Sequence, residues 1–290
     1  MVDRGIILAG GSGSRLYPMT SVVCKQLLPV YDKPLLFYPI ATLMLFGIRR
    51  LLIISTPHDL PMMKALLGDG SRYGVSFSYE IQEKPAGIAQ ALLIGEKFID
   101  KKPTALILGD NLFYGSFDFL REARSFQSGA RIFAYAVRDP ERYGVVELDS
   151  LGNAQSIIEK PEHPKSHYAV TGLYLYDEYA VEMTRKLTPS GRGELEITDL
   201  NRKYLESGKL SVVKLGRGIA WLDTGTPESM LEAGEFIATV EKRQGQKIGC
   251  LEEVAMRMKF QTPKEAHAQV SNMPKSSYRA YIEQVISELD

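Results

Sequence analysis

Short apolar runs alternate with longer segments of helical periodicity through the first half of this 290-residue chain. Such runs, bounded by polar or turn residues, are typical of buried strands. The runs are Gly5–Leu8, Leu51–Ser55, Ser76–Ile81, Ala105–Leu108 and Arg131–Val137. The segments with helical spacing are Pro34–Ile48, Leu60–Leu67, Ile88–Phe98 and Phe117–Gln127. Strands that alternate with helices predict an α/β protein whose mostly parallel sheet is covered on both faces.

The second half of the chain mixes strand patterns with a helical end. The predicted strands are Tyr143–Leu148, Ser156–Glu159, His167–Tyr176 and Leu210–Lys214. The predicted helices are Glu228–Gln244, Leu251–Met258 and Tyr278–Leu289. Because no Pro/Gly/Ser-rich linker divides the chain, we expect one domain over residues 1–290. Residues 1–240 would form its core, and residues 241–290 would form a helical C-terminal region.

Composition excludes several classes of partner. Lys plus Arg and Asp plus Glu each number 35, so the net charge is zero, which argues against long nucleic acids and polybasic membrane anchoring. The two cysteines, Cys24 and Cys250, do not suffice for a disulfide framework and fit a cytoplasmic protein. The most apolar stretch, residues 35–48, is shorter than the roughly 18 residues that a membrane span requires.

A glycine-rich segment, LAGGSGSRL over residues 8–16, directly follows the first predicted strand. Consecutive N–H groups in such a loop cradle phosphate oxygens, and Arg15 can add a bidentate contact. The segment fails the dinucleotide fingerprint because Leu16 stands where glycine is needed, and it lacks the Gly-Lys-Ser/Thr end of a P-loop. Lys25 follows within KQLLP and supplies a second cation. The loop therefore predicts a phosphate site of another kind.

Two aspartates follow apolar runs far apart in the chain. Asp110 ends LILGD, and Asp223 ends WLD. In open α/β sheets, ligands gather at the carboxyl ends of the strands. Mg²⁺ takes few protein ligands and keeps phosphate and water ligands, so two carboxylates converging on a triphosphate would suit it. Each aspartate alone is also consistent with a turn or a helix cap.

The loop and KQLLP together resemble the signature of the sugar-1-phosphate nucleotidyltransferases, and KQLLP is similar to the glucose-1-phosphate thymidylyltransferase branch in particular. The resemblance runs from Gly5 to about Met258. It implies a three-layer α/β/α Rossmann-like fold with a mixed, mostly parallel sheet. It also implies Mg²⁺-dependent transfer of a thymidylyl group from dTTP to α-D-glucose 1-phosphate, giving dTDP-glucose for dTDP-L-rhamnose and related deoxysugar synthesis. Cys24 stands where this branch commonly has Ser, so sensitivity to oxidation is possible, but a nucleophilic role is not expected.

The resemblance also assigns roles to residues. It implies that Arg15 and Lys25 are catalytic and that Asp110 and Asp223 hold Mg²⁺. The nucleotide-binding residues that it implies are Leu8, Gly10, Gly11, Gln82 and Gly87. The sugar-phosphate residues that it implies are Gly144, Glu159, Lys160, Val170, Tyr174 and Arg192. Seen alone, Gln82 would be an ordinary surface residue, and Glu159 with Lys160 an exposed charged turn.

Further expectations concern assembly and regulation. Members of this branch are usually homotetramers with a second nucleotide site for feedback, for which dTDP-rhamnose is a candidate. By resemblance, the residues of that site are Tyr114, Gly115, Arg217, Gly218, Glu253 and Arg257. An ordinary surface remains open there, because Ser116 stands where His is common and Gly249 where Ser is common.

Two other readings remain open for the function as a whole. One is uridylyl or cytidylyl transfer to glucose 1-phosphate or another sugar 1-phosphate. The other is an inactive nucleotide-binding regulator, which would be expected to lack the metal carboxylates or the cations.

Overall fold

The computed structural model describes residues 2–11, 13–120 and 125–290. Its strands are β1 (Arg4–Leu8), β2 (Pro29–Val30), β3 (Lys33–Pro34), β4 (Arg50–Ser55), β5 (Ser76–Ile81), β6 (Thr104–Leu108), β7 (Asn111–Gly115), β8 (Ala130–Ala136), β9 (Gly144–Leu148), β10 (Ala154–Glu159), β11 (Tyr168–Tyr176), β12 (Leu210–Lys214) and β13 (Ile219–Asp223). Its helices are α1 (Phe37–Leu45), α2 (Leu60–Leu67), α3 (Gln90–Ile94), α4 (Glu96–Ile99), α5 (Ala180–Arg185), α6 (Ile197–Glu206), α7 (Pro227–Gln244), α8 (Leu251–Arg257), α9 (Pro263–Val270) and α10 (Ser277–Leu289). The helix predicted over Phe117–Gln127 includes residues 121–124, which lie outside the described residues.

The central sheet is mixed, as predicted. Strands β5, β4, β1 and β6 are parallel neighbours, in that order. Strand β11 then runs antiparallel to β6, and it also pairs with β8 and β9. Strands β12 and β10 complete the sheet beside β8 and β9, respectively. The strand predicted at His167–Tyr176 therefore joins the parallel half of the sheet to the rest.

Alternating side chains of the central strands build a core on each face of the sheet. Ile6 lies in register with Leu52 and Leu106, and these side chains belong to one buried cluster. Ile7 is in register with Ile53 and Ile107, which belong to another buried cluster. Successive side chains of a strand point to opposite faces, so this pattern requires apolar cover on both sides. The predicted helix–sheet–helix layering is confirmed.

The loops after β1 and β6 meet at one edge of the sheet. Gly109 N donates to Leu8 O at 2.9 Å, and Ala9 N donates to Ile54 O at 2.8 Å. A separate two-stranded ladder, β7 with β13, places Asp223 opposite Asn111. The topology thereby brings Asp110 and Asp223, which are 113 positions apart in the sequence, to the end of β1.

Two predicted helices differ from the observed elements. The segment Pro34–Ile48 becomes helical only at Phe37, because Pro34 pairs with Pro29 in the β2–β3 hairpin. The segment Ile88–Phe98 forms the two short helices α3 and α4, which meet at Gly95. Within the described ranges, no helix is both long enough and apolar enough to cross a membrane.

Candidate active site

Two adjoining cavities open where the β1 and β6 loops meet. The larger cavity measures about 310 Å³ and the smaller about 220 Å³. Residues shared by both linings are Gly10, Arg15, Gln26 and Asp110. The larger cavity is also lined by Leu8, Ile88, Leu108, Asn111, Arg142, Tyr143, Gly144, Glu159, Lys160, Val170, Gly172, Tyr174, Ile197, Thr198, Trp221 and Asp223. The smaller cavity is also lined by Gly11, Gly13, Ser14, Leu16, Lys25 and Gly225.

The glycine-rich loop leads into a single 3-10 turn, Ser14–Leu16. Gly13 has a positive φ of 58°, and a Cβ there would lie 2.9 Å from Thr20 Cγ2. Glycine is therefore needed at this position both for its backbone and for space. The turn leaves Arg15 exposed, with its guanidinium beside Gly225. A guanidinium at the junction of the two cavities is suited to bind phosphate oxygens through paired hydrogen bonds.

Lys25 begins a second 3-10 turn, Lys25–Leu27, and is only 7% exposed. Its Nζ lies 2.7 Å from Asp110 Oδ2. Burial alone would raise the pKa of Asp110, but the Lys25 charge and hydrogen bonds from Lys25 and Asn111 outweigh it and lower the pKa. Asp110 is therefore an ionised carboxylate at neutral pH, and it accepts from one of the two cations predicted to be catalytic.

Asp223 lies in a different electrostatic environment. Burial and the neighbouring negative charge of Asp110 raise its pKa, and the cations Lys25, Arg15 and Arg142 offset part of that rise. Arg142 Nη2 lies 3.7 Å from Asp223 Oδ2. Two carboxylates that repel one another in the lining of the larger cavity have the charge that a divalent cation would balance.

The two carboxylates fit Mg²⁺ better than a metal held by protein ligands alone. Among residues 2–11, 13–120 and 125–290, no group of three or more His, Cys, Asp and Glu side chains is arranged to hold a metal ion. Mg²⁺ keeps several waters and is bound through one or two carboxylates plus substrate phosphates. Asp110 and Asp223 supply that number of carboxylates at the larger cavity.

Asn111 holds three parts of the site together. Its Nδ2 donates to Asp110 Oδ1 at 2.9 Å, while its Oδ1 accepts from Gly172 N at 2.9 Å and from Trp221 Nε1 at 2.6 Å. A Cβ on Gly172 would approach Asn111 side-chain atoms to 2.7 Å. Asn111 is 3% exposed, so these bonds fix the orientation of Asp110 from behind.

The far wall of the larger cavity is formed by one face of β11. Val170, Gly172 and Tyr174 alternate along the strand and all line the cavity. Opposite them, Glu159 ends β10 in register with Gly144 of β9. The structure thus brings together most of the residues predicted to hold the sugar phosphate.

The charged groups of this wall restrain one another. Glu159 Oε2 accepts from Thr198 Oγ1 at 2.6 Å, and its Oε1 lies 3.8 Å from Lys160 Nζ. Arg192 is outside the lining of both cavities. Its guanidinium lies 2.9 Å from Glu196 and 3.6 Å from Glu159. Arg192 is half-exposed, so it stands at the rim and can reach the cavity only by leaving Glu196.

Two predicted nucleotide residues, Gln82 and Gly87, also lie outside both linings. Gln82 is buried behind the loop, with its Nε2 donating to Gln90 Oε1 at 2.7 Å. Its Oε1 faces Gly10, since a Cβ on Gly10 would lie 2.0 Å from it. Gly87 has a φ of 99°, and a Cβ there would lie 2.3 Å from Leu195 O. Only Gly10 therefore stands between Gln82 and the cavities, whereas tight packing against Leu195 fixes the position of Gly87.

A third cavity, of about 230 Å³, lies between α1 and α8, and we call it the α1–α8 cavity. Its lining is Tyr38, Ala41, Thr42, Leu45, Phe113, Tyr114, Phe117, Gln244, Gln246, Lys247, Ile248, Gly249, Glu253, Val254 and Arg257. Three of the predicted regulatory residues, Tyr114, Glu253 and Arg257, therefore meet here. Gly115 follows Tyr114 and packs on Gly218 O, whereas Arg217 and Gly218 are outside the lining.

Sequence reasoning missed Gln26, Asn111, Arg142 and Thr198, all of which line the larger cavity. Gln26 directly follows Lys25, and Asn111 directly follows Asp110. Both could have been predicted as site residues because they are the immediate neighbours of charged motif residues. Arg142 and Thr198 had no such signal, because their positions depend on tertiary packing.

The family model described as "Nucleotidyl transferase" matches residues 4–240. The chain is 54% identical to a glucose-1-phosphate thymidylyltransferase of Neisseria gonorrhoeae over 287 residues, covering 98% of this chain and 100% of the relative. A glucose-1-phosphate thymidylyltransferase of Mycolicibacterium smegmatis is 52% identical over 285 residues, covering 98% and 99%, respectively.

Solved structures agree with these sequence comparisons. A Bacillus anthracis protein described as a glucose-1-phosphate thymidylyltransferase, crystallised with sucrose, superposes with a TM-score of 0.75 at 41% identity. The match covers 80% of this chain and 94% of that protein. A UDP-glucose pyrophosphorylase complexed with UDP-glucose shares the fold, with a TM-score of 0.74 at 24% identity over 84% of this chain and all of the other.

Proposed function

The chain belongs to the nucleotidyl transferase family, among the glucose-1-phosphate thymidylyltransferases, and on this premise we propose how its residues carry out the transfer. The reaction joins the thymidylyl group of dTTP to α-D-glucose 1-phosphate and releases pyrophosphate. The observation that carries the assignment of roles is the junction of the two cavities. Arg15 and Asp110 line both cavities there, Lys25 lines the smaller one and Asp223 the larger.

In this proposal the triphosphate lies on the glycine-rich loop, in the smaller cavity and at the junction. Arg15 and Lys25 bind its oxygens and stabilise the charge that develops at the α-phosphorus. Asp110 and Asp223 would hold Mg²⁺. Mg²⁺ held there would supply positive charge to the triphosphate as a Lewis acid. The thymine ring then points toward Leu8 and Gly10, with Gln82 behind Gly10 as the candidate reader of the base edge.

Glucose 1-phosphate occupies the far side of the larger cavity in this arrangement. Gly144 offers its backbone N–H, Glu159 accepts from sugar hydroxyls, and Val170 and Tyr174 form the apolar wall. Lys160 binds the phosphate, and Arg192 turns inward from Glu196 to provide a second cation. The sugar phosphate is largely a dianion at pH 7, so its oxygen attacks in line without a general base or a covalent enzyme intermediate.

Pyrophosphate release tests this function directly. Purified protein is mixed with Mg²⁺, one triphosphate (dTTP, UTP or CTP) and one sugar 1-phosphate in every combination. We expect the highest kcat/KM with dTTP and glucose 1-phosphate. Higher values with UTP or CTP would move the assignment to the uridylyl or cytidylyl alternative, and no release with any pair would indicate a binding protein.

We further propose that the α1–α8 cavity is a regulatory nucleotide site and that the protein works as a cytoplasmic homotetramer. The support for the first point is a cavity that combines aromatic walls (Tyr38, Phe113, Tyr114) with two cations (Lys247, Arg257). Saturation curves with and without dTDP-rhamnose test it, and superimposable curves would remove it. Sedimentation equilibrium tests the tetramer.

A further inference from the structure

Four charged side chains form a cluster that the proposed mechanism does not use, and two of them, Lys33 and Glu241, are buried. Lys33 is 3% exposed and donates to Asp32 and to Glu241 Oε1, the latter at 2.9 Å. Lys247 Nζ is also bonded to Asp32 and lies 3.4 Å from Glu241 Oε2. We call these residues the Lys33 cluster. Its two cations and two carboxylates balance in charge, which buried ionic groups require.

The Lys33 cluster joins two segments that lead out of the candidate active site. Asp32 and Lys33 belong to the β2–β3 hairpin, which begins two residues after the Lys25–Leu27 turn. Leu36 N, just after the hairpin, donates back to Gln26 O at 2.9 Å, so a backbone hydrogen bond connects the end of the hairpin to the turn. Glu241 lies on α7, whose N-terminal cap follows Asp223 by three residues.

The cluster also reaches the α1–α8 cavity. Lys247 lines this cavity, and Ile248 N in the same wall donates to Glu241 Oε1 at 2.8 Å. Tyr38 lines it as well and lies under Lys33 Nζ, 5.4 Å from the ring centroid. The Lys33 cluster therefore also connects the wall of this cavity to the β2–β3 hairpin and to α7.

A buried ion pair of this kind is poorly explained by stability alone. Replacing both partners by neutral groups of similar volume is often harmless to stability, whereas removing one partner leaves an uncompensated charge. The best-attested use of such pairs is to fix the register of the elements they join. Here the β2–β3 hairpin follows the turn that carries Lys25, and α7 follows Asp223.

We propose that Lys33 and Glu241 are positioning residues that hold the Lys25 turn in register with α7.

The test uses the double variant Lys33→Met/Glu241→Gln, which keeps the cluster neutral. Its control is Arg185→Met/Glu96→Gln, which removes an exposed ion pair between α5 and α4. We expect hydrogen exchange over residues 25–36 to quicken, and kcat to fall about tenfold or more with the KM for glucose 1-phosphate within about threefold, because small misplacements of catalytic groups are costly. Circular dichroism checks that both variants fold.

If the double variant and its control have the same hydrogen-exchange rates over residues 25–36 and the same kcat, the positioning role is overturned. Faster exchange with an unchanged kcat would overturn it as well. If the wild-type protein releases no pyrophosphate at all, the proposed function fails, but the exchange measurement still decides whether the pair orders the Lys25 turn.

Discussion

Lys25 Nζ and Asp110 Oδ2 lie 2.7 Å apart, which pairs a cation proposed to bind phosphate with a carboxylate proposed to bind metal. The Lys25 charge and its hydrogen bond lower the pKa of Asp110, so this carboxylate is ionised before substrates arrive. When substrates bind, phosphate can replace Asp110 as the anionic partner of Lys25. In the same way, Mg²⁺ can replace Lys25 as the cationic partner of Asp110.

Lys25→Met should abolish most turnover. The substitution removes one positive charge from the developing charge at the α-phosphorus, and kcat should fall on the order of 10²-fold or more, by analogy with lost oxyanion donors. Pyrophosphate release at saturating substrates measures this. Near-native turnover in a folded variant would exclude Lys25 from the mechanism.

Asp223→Asn should weaken the metal site. One of two carboxylates is lost, so the Mg²⁺ concentration for half-maximal activity should rise about tenfold or more. Binding of Mn²⁺, followed by its electron paramagnetic resonance in the presence of dTTP, gives a second readout. Asp149→Asn, in the exposed β9–β10 turn, serves as the control and should leave both values unchanged.

Glu159→Gln should separate the two substrates. The amide keeps the approximate shape of Glu159 and can still accept from Thr198, but it has no charge to order Lys160 or to accept strongly from sugar hydroxyls. We expect the KM for glucose 1-phosphate to rise about tenfold, or about 1.4 kcal/mol, with the KM for dTTP unchanged. An equal rise in both KM values would contradict the placement of the sugar.

Gly172→Ala should lower both stability and activity. The new methyl group would displace the Asn111 side chain, which loses hydrogen bonds to the backbone or to Trp221 at a cost of roughly 1–3 kcal/mol. Urea unfolding measures the loss. Gly191→Ala is the matched control, because a Cβ there meets no atom within 4 Å.

Cys24 should be inert despite its place beside Lys25. The thiol is 6% exposed, and burial, followed by the charge of Asp59, raises its pKa to about 11. Only roughly 0.1% is thiolate at pH 8, and the reactive fraction grows as pH approaches 11. Iodoacetamide at pH 8 should leave activity intact over hours. Rapid inactivation that Cys24→Ser abolishes would show the opposite.

The sequence predicted best what depends on short segments. The strand before LAGGSGSRL and the charged roles of Lys25 and Asp110 could be predicted, because each depends on the residues next to it in the sequence. Arg142 was not, because its position 3.7 Å from Asp223 depends on the packing of two distant segments. The start of α1 was misjudged because Pro34 suits a helix start as well as the β2–β3 hairpin.

The same limit applies to the candidate ligand contacts. The family resemblance implies that Arg192 is a clamp on the sugar phosphate, but Arg192 pairs with the neighbouring carboxylates Glu196 and Glu159, an arrangement that no linear pattern reveals. The resemblance also implies that Gln82 reads the base. Gln82 lies behind Gly10 and outside both cavity linings, so this role stays a proposal that a nucleotide-bound structure would test.

One edge of β11 changes partner midway, from β9 at Ala169 to β6 at Leu173. Between these pairings, Gly172 N bonds to the Asn111 side chain in place of a neighbouring strand. The larger cavity therefore lies where β11 changes its neighbouring strand within the sheet. Substitutions at positions 170 and 174 would change the side chains of its wall without moving the backbone. Sugar preference can diverge among descendants of such a chain while the fold and the phosphate chemistry are inherited unchanged.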